Sequence, residues 1–158
     1  MMLKQPKTKK TALVSAVDML AIRSHGTEEL KIKLQRKGYL NEEINDAVET
    51  LTKRGYLDDA TLCDSLFKEY CRAEKYSLNY ILQKLMQKGF SRSIVEPYKN
   101  QMDDEGELAI AQKILLQKYK SPESVDVKLM MKYLYGKGFT TAVIGKAVSQ
   151  YTKFEENY

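Results

Sequence analysis

The stretch Leu30-x3-Leu34-x2-Lys37-Gly38-Tyr39 decides the fold, because the chain contains it three times. It recurs as Ile81-x3-Leu85-x2-Lys88-Gly89-Phe90 and as Met130-x3-Leu134-x2-Lys137-Gly138-Phe139. The glycines lie 51 and 49 residues apart. Repeats of about this length are supersecondary units that bury their apolar faces against their neighbours. The sequence therefore predicts a repeat protein with an extended recognition surface rather than an enzyme built around a cleft.

Each repeat has the pattern of three helices. In the first repeat, Gly38 suits a helix C-cap because glycine readily adopts a left-handed backbone. Asn41 is the predicted N-cap of the helix that follows. The apolar positions recur at helical spacing and predict the buried faces of the first and third helices. These positions are Leu13, Val17 and Leu20 in the first helix and Ile44, Val48 and Leu51 in the third.

The other two repeats follow the same plan with local differences. The third helix of the last repeat has its predicted buried face at Ile144, Val148 and Tyr151. In the second repeat, Pro97 falls inside the corresponding helix and should kink or shorten it. Ser91 and Thr140 are the predicted N-caps, and Ser121-Pro122 is the predicted start of a helix in the third repeat.

No stretch shows the sustained alternation of apolar and polar residues that is typical of strands, so the predicted fold class is all-α with three tandem three-helix repeats. We expect a basic, flexible N-terminal tail over residues 1–10. The repeats are predicted at 11–57, 58–105 and 106–158, the last with a short C-terminal tail.

Composition narrows the classes of function. The net charge is +5, and the first ten residues alone carry four lysines, so the rest of the chain is nearly neutral. No apolar run is long enough to span a bilayer, and the N-terminus lacks the apolar core of a secretory signal, so we expect a cytoplasmic protein with no membrane partner. Cys63 and Cys71 would lie about 12 Å apart on one helix, too far for a disulfide. We expect no metal and no cofactor.

Several motifs together resemble the RecX family, whose members regulate the bacterial RecA recombinase. His25-x-x-Glu28-Glu29-Leu30 is similar to the opening motif of that family, and Gly55-Tyr56-Leu57-Asp58-Asp59 is similar to its most recognisable signature. Lys118-Tyr119 and Leu134-Tyr135-x-Lys137-Gly138-Phe139 match its third repeat. The resemblance covers roughly residues 12 to 152. Its structural signature falls on Gly38, Gly55, Tyr56, Leu57, Asp58, Asp59, Gly89 and Gly138.

The resemblance implies an elongated, curved arrangement of the three repeats and a regulator that is not itself an enzyme. Such a protein would act as a monomer in recombination, DNA repair and the SOS response. It would bind in the groove of the RecA nucleoprotein filament and inhibit strand exchange, ATP hydrolysis and co-protease activity. Single- or double-stranded DNA is a second expected partner, and a direct DNA-binding helical-repeat protein is the alternative interpretation. Thr61 and Asn79 stand where the family usually has basic residues.

Basic side chains near the repeated motifs are the candidate contacts with RecA or DNA. They can pair with acidic residues of a protein filament or with phosphates. The candidates are Arg23, Lys33, Arg36, Lys37, Arg72, Lys84 and Lys88. The repeated Lys37, Lys88 and Lys137 have a second interpretation, because a cation near a helix C-terminus stabilises the helix by up to about 1 kcal/mol.

Three other groups of residues have a structural interpretation beside a functional one. Tyr39, Phe90 and Phe139 could stack on bases, but their position just beyond a helix end favours packing between helices. His25 is expected to bond a helix end rather than to act in catalysis. Asp58 or Asp59 is expected to cap the next helix, and this favours a structural role over a metal or acid–base site.

Overall fold

The structure, a computed structural model, describes residues 9–120 and 126–153. These residues form helices and connecting turns without any strand, so the all-α prediction is confirmed. The predicted start at Ser121-Pro122 lies outside the described residues. The helices in chain order are α1 (Ala12–Ile22), α2 (Thr27–Arg36), α3 (Asn41–Lys53), α4 (Asp59–Ala73), α5 (Leu78–Gln87), α6 (Arg92–Val95), a 3-10 helix (Glu96–Tyr98), α7 (Asp104–Lys118), α8 (Val127–Gly136) and α9 (Thr141–Lys153).

The chain divides into two compact units. The first comprises residues 1–62 with Lys88–Phe90, and the second comprises residues 63–87 with 91–158. The boundary thus falls inside α4, after its first turn. None of the described helices is long and apolar enough to cross a membrane.

The repeated motif ends a helix in the same way each time. Gly38, Gly89 and Gly138 have φ angles of +87°, +95° and +89°, which confirms the predicted left-handed C-cap. After α2, the Gly38 N–H donates to the Gln35 carbonyl and the Tyr39 N–H donates to the Leu34 carbonyl. This pair of bonds is the Schellman motif, which satisfies carbonyls that the end of a helix leaves without partners.

The core of the first unit forms around the apolar pair of the motif. Leu30 and Leu34 are fully buried and pack with Ile44 and Leu51 of α3. Val17 was expected on the buried face of α1, but it is 48% exposed. The buried side of α1 instead carries small residues, Ala12, Ser15 and Ala16. Leu13 and Leu20, the other two predicted residues of this face, are partly buried against the same core, so the predicted face is wrong only at Val17.

The second unit repeats this arrangement around α7, α8 and α9. Met130 and Leu134, the third copy of the apolar pair, are fully buried in a cluster with the predicted residues Ile144, Val148 and Tyr151. The second copy, Ile81 and Leu85, is buried as well. The motif therefore marks the core of every repeat.

Two predictions about helix ends have different outcomes. Pro97 shortens its helix as expected, because α6 stops at Val95 and only a 3-10 turn follows. The predicted N-cap at Asn41 is wrong by one residue. Leu40 is the cap, Asn41 is the first helical residue, and the Glu43 carboxylate accepts the Leu40 N–H at 2.8 Å. The Glu43 carboxylate thus supplies the half of a capping box that satisfies the N–H of the cap residue.

Candidate functional surfaces

The two aspartates of the Gly55–Asp59 signature cap the N-terminal ends of two helices in the first unit. Asp58 Oδ1 accepts the Thr61 N–H at 3.0 Å, which caps α4 and lowers the pKa of Asp58. Asp59 Oδ1 accepts the Thr27 N–H at 2.8 Å, which caps α2. Tyr56 is exposed, whereas Leu57 belongs to the core. Each carboxylate of the pair therefore has a structural task, in agreement with the structural interpretation.

A network of charged groups surrounds the turn between α1 and α2. Glu29 accepts from Arg23 Nη2 at 2.5 Å and pairs with Lys33 Nζ at 3.2 Å. The hydrogen bond from Arg23 is the main cause that lowers the pKa of Glu29 to about 2. Arg23 and Lys33, two of the predicted contact residues, are thus brought together around a shared carboxylate.

His25 is buried inside the same network. Its Nδ1 lies 2.9 Å from the Arg23 carbonyl, and its Nε2 lies 2.9 Å from Lys33 Nζ. Because an ammonium group only donates and a carbonyl only accepts, the imidazole carries its proton on Nδ1. Both ring nitrogens are engaged, which agrees with the structural role expected for His25.

The remaining predicted contact residues lie apart from this network. Arg36 and Lys37 are exposed neighbours at the C-terminal end of α2, and Lys88 is exposed just beyond α5. Arg72 is exposed in the last turn of α4. Lys84 is half-buried in α5, with its Nζ 5.7 Å from the centre of the Tyr80 ring. Arg36, Lys37, Arg72 and Lys88 make no ion pair with the residues that the structure describes, so their charges are available to a partner.

The aromatic residues after the motif mostly pack inward. Phe90 and Phe139 are buried, as the packing interpretation predicted. Tyr39 packs against the core of the first unit, and its hydroxyl donates to the Lys10 carbonyl at 2.7 Å. These rings, which lie just beyond the helix ends, therefore have a structural role in packing.

The second unit contains a groove of about 650 Å³ that the sequence reasoning missed. We name it the tyrosine–lysine groove. Its defining side chains are Tyr76, Tyr80, Tyr119, Tyr133, Lys132 and Lys137. One signal in the sequence could have indicated it, because the dipeptide Lys-Tyr occurs at 75–76, 118–119 and 132–133, and all three tyrosines line the groove. The three dipeptides lie far apart in the chain, so only the packing of α5, α7 and α8 brings them together.

Comparison with known proteins agrees with the three-helix repeats. A family model described as "RecX, first three-helix domain" matches residues 12–51. The chain resembles two solved structures, which show the same fold. One is a crystal structure of regulatory protein RecX, with a TM-score of 0.73 and 21% identity over 86% of this chain and 70% of that chain. The other is RecX from Lactobacillus salivarius, with a TM-score of 0.69 and 16% identity over 90% of this chain and 95% of that chain.

Two relatives extend the similarity over most of the sequence. Regulatory protein RecX of Vibrio vulnificus is 30% identical over 139 residues, which cover 85% of this chain and 89% of that protein. Regulatory protein RecX of Chlorobaculum tepidum is 31% identical over 142 residues, which cover 89% of this chain and 88% of that protein. Because the similarity spans nearly the full length of both relatives and the fold agrees, the chain belongs to the RecX family of regulatory proteins.

Proposed function

We propose that this chain binds in the groove of a RecA nucleoprotein filament and inhibits strand exchange, ATP hydrolysis and co-protease activity. The observation that carries the proposal is the relationship to regulatory RecX proteins over most of the chain. The resemblance of its motifs to that family supplies the partner. In this proposal the chain acts as a cytoplasmic monomer, through the three repeats at 11–57, 58–105 and 106–158.

The proposed contacts are cations that make no ion pair with the residues described in the structure. Arg36 and Lys37 end α2 with exposed charges, and Lys88 is exposed in the same unit. An exposed cation can pair with a carboxylate of a protein filament without first breaking an internal ion pair. Arg23 and Lys33 contribute less in this proposal, because Glu29 already neutralises part of their charge.

The proposed mechanism requires no catalysis by the chain itself. His25 uses both ring nitrogens in hydrogen bonds, and Asp58 and Asp59 cap helices. A nucleophile with an adjacent base is the usual sign of covalent catalysis, and these residues do not form one. The occupied roles of the histidine and the aspartate pair thus support a regulator that acts by binding.

The test is ATP hydrolysis by a bacterial RecA on single-stranded DNA, with this protein added below one copy per RecA and with DNA in excess. Inhibition under these conditions supports binding to the filament, because competition for DNA would require far more protein. Absence of inhibition up to equimolar protein would contradict the proposal.

A double variant tests the proposed contact surface. Arg36→Gln with Lys37→Gln should raise the concentration needed for half inhibition about 2- to 30-fold, since each lost exposed ion pair is worth about 0.2–1 kcal/mol. Lys128→Gln with Lys146→Gln is the matched control, because both lysines are exposed, make no ion pair with the described residues and lie outside the proposed contacts. Equal effects of the two double variants would show that only net charge matters.

Direct DNA binding is the second candidate function. It is favoured by one specific observation, the tyrosine–lysine groove, in which aromatic rings and lysines occur together.

A further inference from the structure

Four tyrosine rings line the tyrosine–lysine groove. Tyr76 lies in the connection before α5 and Tyr80 in the first turn of α5, and their rings stack at 4.2 Å with an angle of 10° between the planes. Tyr119 follows α7 and meets Tyr133 of α8 edge to face, with the ring centres 6.3 Å apart. The groove thus offers aromatic surface from residues in or next to three helices that are separate in the chain.

Lysine ammonium groups lie over these rings. Lys137 Nζ is 4.8 Å from the centre of the Tyr76 ring and 5.3 Å from that of Tyr133. Lys118 Nζ is 5.1 Å from the Tyr133 ring, and an adjoining pocket adds Lys75. None of the described residues that line the groove or the adjoining pocket is acidic. The positive charge here is therefore not neutralised by a carboxylate in the lining.

The backbone around the groove is held by hydrogen bonds. The Ser77 N–H donates to the Lys137 carbonyl at 3.1 Å, and the Ser77 hydroxyl oxygen accepts the Tyr80 N–H at 3.1 Å. The Tyr151 hydroxyl donates to the Tyr119 carbonyl at 2.6 Å. Because these bonds fix the segments that carry the rings, the rings lose little conformational entropy when a ligand binds.

We propose that the tyrosine–lysine groove binds single-stranded nucleic acid, with a base stacked on its rings and the lysines on the adjacent phosphates. Stacking on an aromatic side chain is worth about 1–3 kcal/mol per base. An exposed cation–π contact is worth only about 0.5–1 kcal/mol, so Lys137 can exchange its rings for a phosphate at low cost. An acidic protein surface would use the lysines but would leave the rings without a role. This inference rests on the second candidate function, direct DNA binding, and adds the residues and the mode of contact; it requires no RecA.

The test is fluorescence anisotropy of a labelled oligothymidylate of about 16 nucleotides, a length within the known range of site sizes, titrated with the full chain without RecA. Tyr133→Leu should raise the Kd about 5- to 100-fold because it removes a stacking surface. Lys137→Gln should reduce the slope of log K against log salt concentration by about 0.7, the loss of one phosphate contact on a single strand.

The controls come from the same helix. Tyr135→Leu removes an exposed ring of α8 outside the groove, and Lys128→Gln removes an exposed charge of the same helix. Both should leave the Kd within about two-fold of the parent. Thermal unfolding of every variant separates loss of binding from loss of fold.

Two further ligands test the proposed chemistry. An abasic oligonucleotide of the same length keeps the phosphates but lacks bases, so it should bind at least about ten-fold more weakly, as should a duplex whose base faces are covered. Equal binding of the abasic strand would overturn the stacking proposal and leave a site for phosphates alone. An unchanged Kd in Tyr133→Leu, or no binding by the parent chain, would also overturn it. None of these results depends on RecA, so failure here leaves the filament proposal standing.

Discussion

At the scale of single residues, Glu29 shows how one carboxylate organises a turn. It holds Arg23 and Lys33, while Lys33 also reaches the buried His25. Two cations and one anion leave a net positive charge at the end of α1, but the cations are fixed by their internal partners. The network therefore stabilises the turn first, and it offers a partner less charge than two free cations would.

The network should make folding depend on pH. Glu29 has an ordinary pKa near 4.5, which falls to about 2 in the folded chain. Since the folded pKa is lowered, its contribution to stability is present above pH 4.5 and is lost as the pH falls towards 2. After allowance for solvent exposure, Glu29→Gln should cost about 1 kcal/mol at neutral pH and progressively less as the pH falls through this range.

The measurement is the free energy of unfolding in denaturant between pH 7 and the lowest pH at which the chain folds. Glu49→Gln is the control, because that carboxylate is exposed and, within 9–120 and 126–153, forms an ion pair with Lys53 alone. A stability difference between Glu29→Gln and the parent that stays constant across this range would contradict the assigned role of Glu29.

At the scale of elements, a carboxylate further along the chain caps the start of an earlier helix in each unit. Asp59, the first residue of α4, accepts the N–H of Thr27, the first residue of α2. In the second unit, Glu107 of α7 accepts the N–H of Leu78, the first residue of α5, at 2.5 Å. Burial raises the pKa of Glu107. These bonds satisfy amide groups that a helix start would otherwise leave unpaired, and they tie separate helices of a unit together.

The C-cap glycines should differ in their tolerance of a side chain. A Cβ on Gly89 would lie 2.7 Å from the Glu28 Cβ, whereas a Cβ on Gly38 would meet no atom within 4 Å. Both glycines have positive φ, so Gly38→Ala should cost about 1–2 kcal/mol of backbone strain. Gly89→Ala should cost about 1–3 kcal/mol more than Gly38→Ala, because the Glu28 side chain and its backbone must move.

Denaturant midpoints of the two alanine variants, compared at equal m-values, give this difference directly. The glycines end corresponding helices, so each variant serves as the control for the other. Equal losses would show that the close approach of Glu28 to Gly89 contributes nothing to stability.

At the scale of the whole molecule, the location of the positive charge predicts different effects of the N-terminal lysines on the two proposed functions. The net charge is +5, and Lys4 and Lys7 lie in the first eight residues. Of the other two lysines of the predicted tail, Lys10 pairs with Asp18 at 2.6 Å, and Lys9 Nζ lies 5.2 Å from the centre of the Tyr39 ring. These two lysines thus contact the first repeat, and only part of the N-terminal charge is left to act on DNA.

Removal of residues 1–8 should therefore weaken DNA binding without affecting regulation. The salt slope of binding to single-stranded DNA should fall by up to about 1.4, the value for two phosphate contacts. Inhibition of RecA ATP hydrolysis should remain unchanged. Lys4→Gln with Lys7→Gln is the control for charge alone. A parallel loss of DNA affinity and of inhibition would mean that the chain regulates RecA through the DNA.

The sequence by itself determined the features that depend on local geometry. The repeated motif at helical spacing marked the second helix of each repeat, and the periodicity of the third helix predicted Ile44 and Leu51, which are buried. The left-handed glycines and the short helix before Pro97 were predictable too, since backbone sterics act within a few residues. Val17 was wrongly expected on the buried face, because helical spacing does not tell how far around α1 its contact with neighbouring helices extends.

Only the tertiary structure decided which distant side chains meet. Asp59 was recognised as a helix cap, but its partner Thr27 lies 32 residues earlier. Tyr76, Tyr119 and Tyr133 form one groove although each follows an ordinary lysine in a different part of the chain. Such contacts between distant residues depend on how the helices pack. Helix packing is set mainly by the buried apolar faces, not by the carboxylate of Asp59 or the hydroxyl groups of the tyrosines. The family could therefore be read from motifs, whereas the groove required the fold.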